Sequence, residues 1–164
     1  MIFLAGRSQI QPRTLHTQIK QRFQTDADFG PVQLRPSDRR EPGPYRVVAD
    51  TNVRAFLGDD SYPVAKGRLE IGFQLTTQPQ HEYYWFNWIE PARDFLLGWH
   101  QDADHSSLGA VHIQVNDTNG PVEHRSATFI DKHPMAVVEA RLKQLPHALD
   151  SVQWNNDTVT GISW

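Results

Sequence analysis

The chain has 164 residues, a hydrophobic fraction of 38% and a formal net charge of −3, which suits a single domain with one core. It contains no cysteine, so disulfides, cysteine zinc ligands and a thiol nucleophile are excluded. No apolar run approaches the length of a membrane span, and the first residues lack the basic and apolar regions of a signal peptide; the expectation is a cytoplasmic protein with no membrane partner.

The charge is uneven along the chain. Residues 1–57 carry nine Arg and Lys against five Asp and Glu, and the remainder carries seven against fourteen. A basic N-terminal third can steer a nucleic acid, and it is also what ordinary surface charge looks like.

The first predicted element is a helix over 14–24, where Leu15, Ile19 and Phe23 recur at four-residue spacing behind Thr14 as N-cap. Residues 35–44 hold three prolines and a glycine and are predicted as a loop. From Tyr45 the chain becomes strand-rich. Strands are expected from Tyr45 to Leu57, ending at a Gly58-Asp59-Asp60 turn, and from Arg68 to Thr77, where Leu69, Ile71, Phe73 and Leu75 alternate with other residues. Tyr83 to Ile89 is aromatic-rich, and Asp94 to His100 is apolar. Val111 to Val115 alternates, Asn116 to Gly120 signals a hairpin turn, and Val122 to Ile130 returns as its partner. Pro134 opens a helix in which Met135, Val138, Leu142 and Leu145 form one stripe, with Pro146 expected just past its end. The tail from 150 to 164 has no assigned element.

The expected fold is α+β: an antiparallel sheet of about five strands with an N-terminal and a C-terminal helix packed on one face. Residues 1–44 form an extension of helix and Pro-rich loop, and 45–149 the sheet and helix core of the same domain.

Five of the eight histidines lie between residues 100 and 133. His100, Asp102, Asp104 and His105 sit where a strand passes into a loop, a favoured place for function. On the next strand, alternation puts His112, Gln114 and Asn116 on one face. His124 and Arg125 are adjacent, so at most one of them faces the same site unless a bulge intervenes. His133 is read as a helix-entry residue, and His16, His81 and His147 as surface residues. Tyr83, Tyr84, Trp85, Phe86 and Trp88 are suited to base stacking, with core packing for at least half of them.

Histidines titrate near neutrality, an aspartate orients an imidazole, and arginine grips phosphate. These are the requirements of RNA cleavage without a metal or other cofactor. His100, Asp102, Asp104, His105 and His112 are the catalytic candidates. Gln114, Arg125 and Trp99 are the substrate-binding candidates. The same histidines and aspartates are competent ligands for a divalent metal, although their spacing matches no strong zinc pattern. A non-enzymatic binding or adaptor module is the third reading.

The run Phe95–His105, followed by Val111-His112-Ile113-Gln114 and the helix over 134–145, resembles the TumE family of toxin–antitoxin systems. Those proteins pass from an apolar strand through an Asp/His turn to a His-bearing strand and an amphipathic helix. The likeness covers residues 95–149. It implies a small ribonuclease toxin acting on RNA and neutralised by an antitoxin partner, with Asp102, His105 and His112 as the matching positions.

Overall fold

Hydrophobic alternation, interrupted by bulges in the β1–β2 and β6–β7 pairings, accompanies a seven-stranded antiparallel sheet whose strands follow one another in sequence order. In this computed structural model the described residues are 10–39, 41, 43–76 and 82–164. The expectations for residues 1–9, for Arg40 and Pro42 of the loop, for Thr77 and for His81 lie outside them.

The strands are β1 (Phe29–Pro36), β2 (Tyr45–Asn52), β3 (Lys66–Gln74), β4 (Tyr83–Glu90), β5 (Phe95–Gln101), β6 (Val111–Asp117) and β7 (Gly120–Ala127). The α+β class holds, but the sheet has seven strands rather than five. Six of the seven overlap segments singled out in the sequence; the one with no counterpart there is β1, which contains Pro31 and Pro36. Proline cannot donate to a central ladder, yet an edge strand tolerates it, and β1 lies at the edge beside β2. The segment expected as one strand from Tyr45 to Leu57 divides at Asn52. The Asn52 side chain accepts from the Ala55 amide at 3.3 Å and starts the short helix α2 (Val53–Leu57), which Gly58 ends at φ 63°.

Helix α1 runs over Pro12–Gln24, two residues longer at its start than the periodicity indicated; Gln11 rather than Thr14 precedes it. Pro12 occupies the first turn, where its missing N–H has no helical partner to lose. Helix α3 (Pro134–Asp150) begins as expected, with the His133 ring accepting from the Met135 amide at 3.2 Å. It then continues through Pro146. Leu145, Ala148 and Leu149 are all buried, so one further turn gains apolar contact that offsets the hydrogen bond proline removes.

The C-terminal residues form a hairpin, β8 (Val152–Asn155) and β9 (Thr158–Ile162), turning at Asn156 with φ 54°. Its apolar side joins the main core: the Trp154 ring lies 5.0 Å from Phe95, and Trp164 lies 5.7 Å from Trp99.

Both long helices cover the same face of the sheet. Leu15, Ile19 and Phe23 of α1 and Val138, Leu142 and Leu145 of α3 share a core with Leu69, Ile71, Phe73, Phe86, Trp88, Leu97 and Ile113. Tyr84, Phe86 and Trp88 are therefore spent on packing, whereas Tyr83 and Trp85 point to the other face. His16 is not a surface residue: it is fully buried, and its ring accepts from the Phe73 amide at 3.1 Å. Among the described residues no helix is long and apolar enough to cross a membrane.

Candidate metal centre

The sheet face turned away from the helices carries the candidate chemistry, and strand register assembles it. Gly72, Trp85, His100, His112 and Ser126 are successive partners across β3 to β7. Glu70, Asn87, Gly98, Gln114 and His124 form the neighbouring row. Residues of one row project from the same face as those of the next, because the rows are two positions apart.

His105 reaches this face from the loop after β5. A 3-10 turn over Ser106–Leu108 folds the loop back, and the Leu108 carbonyl accepts from the Ser126 hydroxyl at 2.7 Å. Ser126 thereby pins the loop to β7. At its start Asp102 accepts from the Asp104 amide at 3.0 Å, a local turn that keeps both carboxylates beside the strand end.

Four imidazoles converge as a result. The His105 ring centroid lies 4.1 Å from that of His124 and 4.6 Å from that of His112, and His112 lies 5.3 Å from His124 and 5.4 Å from His100. One nitrogen from each of His105, His112 and His124 lies within 4.8 Å of the other two. A tetrahedral zinc ion, bonded at about 2.0–2.1 Å, holds its nitrogens roughly 3.4 Å apart, so small rotamer adjustments close the set. Gln114 Oε1 lies 3.0 Å from Nε2 of His124. With Gln114 Oε1 as acceptor, Nε2 carries the proton and Nδ1 keeps its lone pair for a cation, the usual arrangement around a metal-bound histidine.

His112 is 1% exposed, and its Nε2 is buried without a hydrogen-bond partner. A buried polar atom left unpaired is costly, and a bound cation would satisfy it. Its Nδ1 lies 3.9 Å from Asp102 Oδ1. Burial pushes the His112 and His124 pKa values below the ordinary histidine range, as do the neighbouring histidines; Asp102 pulls both back up in part. His100 is pushed down to about 3 by burial first and by its histidine neighbours second. These rings are uncharged at neutral pH, the state in which imidazole binds metal.

Asn87 Oδ1 lies 2.8 Å from His100 Nε2. Asn87 faces Gly98 in the register and reaches diagonally across it. Beside this pair is a cavity of about 500 Å³, walled by Arg39, Tyr83, Trp85, Asn87, His100, Asp102 and Asp104. The Trp85 indole forms part of that wall by lying against Gly72, where any side chain would collide with it.

The candidates from the sequence thus separate. His100, Asp102, His105, His112 and Gln114 converge, and Asp104 lies at the cavity wall. Trp99 and Arg125 do not belong to the site. Trp99 is fully buried on the helix-covered face, with Arg141 5.5 Å from its ring. Arg125 faces the same side as Ile113, is exposed, and pairs with Glu123 at 2.5 Å. Its place is taken by His124, which the alternation left undecided. The turn at Asp117–Gly120 alone would pair His112 with Arg125; a bulge between Val115 and Asn116 shifts the register by one residue and puts His124 opposite Gln114. Asn87 and Ser126 carried no sequence signal, because each acts through a partner distant in the chain. Comparison with protein-family models, with curated proteins and with solved structures finds no match to this chain.

Proposed function

We propose that the protein is a metal-dependent hydrolase in which His105, His112 and His124 hold a divalent cation and the adjoining cavity receives the substrate. One observation carries this reading: three histidines, brought from β6, β7 and a pinned loop, present nitrogens within 4.8 Å of one another. Three histidines leave a coordination position open, and a metal there lowers the pKa of a bound water to about 7. An all-nitrogen set suits zinc among the divalent metals that imidazole binds. Asp102 and Asp104 stand at the cavity edge to accept a proton, and Arg39 supplies a positive charge on its wall.

Metal-independent RNA cleavage is served less well by the same residues. The rings of His105, His112 and His124 touch, so no phosphate fits between an acid and a base drawn from them. His100, held near a pKa of about 3, is not a proton donor at neutral pH. RNA nevertheless stays the first substrate to test, as the likeness to TumE toxins implies.

The experiment is hydrolysis of RNA, of bis(p-nitrophenyl) phosphate and of p-nitrophenyl acetate by metal-stripped protein, with and without added Zn(II) or Mn(II). Turnover that requires metal and disappears in His112→Ala supports the proposal. RNA cleavage that persists in EDTA, or stoichiometric metal without turnover of any substrate class, overturns it.

A further inference from the structure

Resting on the proposed metal centre, the geometry adds a second position. We propose that a second divalent cation binds between His100, Asp102 and His112, on the cavity side of the first, with His112 shared by both ions.

These three residues offer ligand atoms within 4.8 Å of one another, as His105, His112 and His124 do. The two sets have only His112 in common. Its two nitrogens have different surroundings: Nδ1 faces Asp102 at 3.9 Å, and the buried Nε2 has no partner. An imidazole that gives up its ring proton to solvent has a lone pair on each nitrogen and joins two cations, one on either side. Nδ1, which faces Asp102, would serve the second set, and the unpartnered Nε2 is left for the first.

The second set is also short of donors. With Asn87 Oδ1 accepting the His100 Nε2 proton, His100 has only its Nδ1 lone pair to offer. Asp102 offers carboxylate oxygens. Asp102 Oδ1 already accepts from the Asp104 amide; its remaining lone pairs and the His100 nitrogen form an acceptor set that suits a cation. Asn87 then does for His100 what Gln114 does for His124: a carboxamide holds the outer N–H and leaves the inner nitrogen for metal.

Position gives the second ion its function. The cavity wall includes His100, Asp102 and Asp104 but none of His105, His112 and His124. A substrate oxygen entering the cavity meets the second ion first. The three-histidine ion lies behind it, across His112. The second ion would polarise a substrate oxygen in the cavity, beside the three-histidine ion whose open position would hold the activated water.

The test is the number of ions held by the full-length chain. Metal-stripped protein is titrated with Zn(II) in a calorimeter, and the content after buffer exchange is measured by elemental analysis, with circular dichroism reporting the fold of each variant. The expected result is two ions for the unaltered chain, one for Asp102→Asn and one for His124→Ala. Asp102 is partly exposed in a loop, so Asp102→Asn spares the core; Asp102→Ser serves as the second variant. Asn87→Ala is expected to weaken the weaker of the two sites by about 10–100-fold. A single ion in the unaltered chain overturns the second position; if Asp102→Asn retains that ion, the three-histidine centre stands. No bound ion overturns both.

Discussion

Asn87 Oδ1 and His100 Nε2 meet at 2.8 Å across a residue that has no side chain, Gly98. A Cβ at Gly98 would overlap the Asn87 carboxamide, so the bond exists because glycine stands there. Gly98→Ala is therefore expected to displace Asn87 and to destabilise the fold by about 1–3 kcal/mol through overpacking. Asn87→Ala is expected to cost about 1 kcal/mol by leaving the half-buried His100 donor without its partner. The double variant should be less destabilised than the sum, because removing Asn87 empties the space that the new methyl needs. Urea denaturation of the three variants measures this; additive losses would show that the two residues act separately.

Metal should stabilise the folded chain. A cation bound only to the native state, at 100 times its dissociation constant, adds about 2.7 kcal/mol, on the order of 5–10 °C in Tm for a domain of this size. His105→Ala and His124→Ala are expected to remove most of that gain while leaving the metal-free Tm nearly unchanged, since neither side chain belongs to the core. Thermal scans with and without Zn(II) test it, and an equal shift in variant and parent would sink the assignment of these ligands.

Gln114 and Ser126 act through other residues. Gln114→Ala is expected to weaken Zn(II) binding by about 10–100-fold through loss of the His124 partner. Ser126→Ala frees the loop that carries His105 and should also weaken binding, with a stability change of at most about 1 kcal/mol. Calorimetric titration separates these effects from unfolding. Unchanged affinity in both variants would mean that the histidines need no outer support.

Stability should fall in mild acid, and the sign follows from burial. The His16 ring lies between the Pro12 carbonyl at 2.6 Å and the Phe73 amide at 3.1 Å. Nδ1 donates to the carbonyl, and Nε2 accepts from the amide, so the fold requires the neutral ring. Burial lowers its pKa below 6.5, with the Pro12 contact opposing in part. The unfolded chain thus takes up the proton more readily. The contribution of His16 is complete above about pH 6.5 and is lost as the pH drops through its folded value. His100, His112 and His124, all lowered as well, act in the same direction. Metal-free protein should have a lower urea midpoint at pH 5 than at pH 7.5. His16→Leu should be less stable at pH 7.5, with the Phe73 amide unpaired, and should show a shallower acid loss than the parent. An equal pH dependence in the two proteins would remove His16 from the account.

Periodicity by itself determined much of the architecture. The two-residue period of Leu69, Ile71 and Phe73 assigned one face of β3 to the core, and the same period put His112 and Gln114 together on the opposite face of β6. The helical stripes of α1 and α3 were legible for the same reason: burial on one side imposes a period that local sequence carries. Trp99 illustrates the limit. Beside His100 in the chain, it points to the other face, because neighbours in a strand always do. What only the tertiary structure decided was which strands stand beside which, and in what register. That register lines up Gly72, Trp85, His100, His112 and Ser126 in one row and Asn87, Gly98, Gln114 and His124 in the next. Register comes from the summed packing of a whole sheet against its helices, not from any one strand. The convergence of four histidines is a consequence of that packing and of one hydroxyl, Ser126, that draws the His105 loop back over the face.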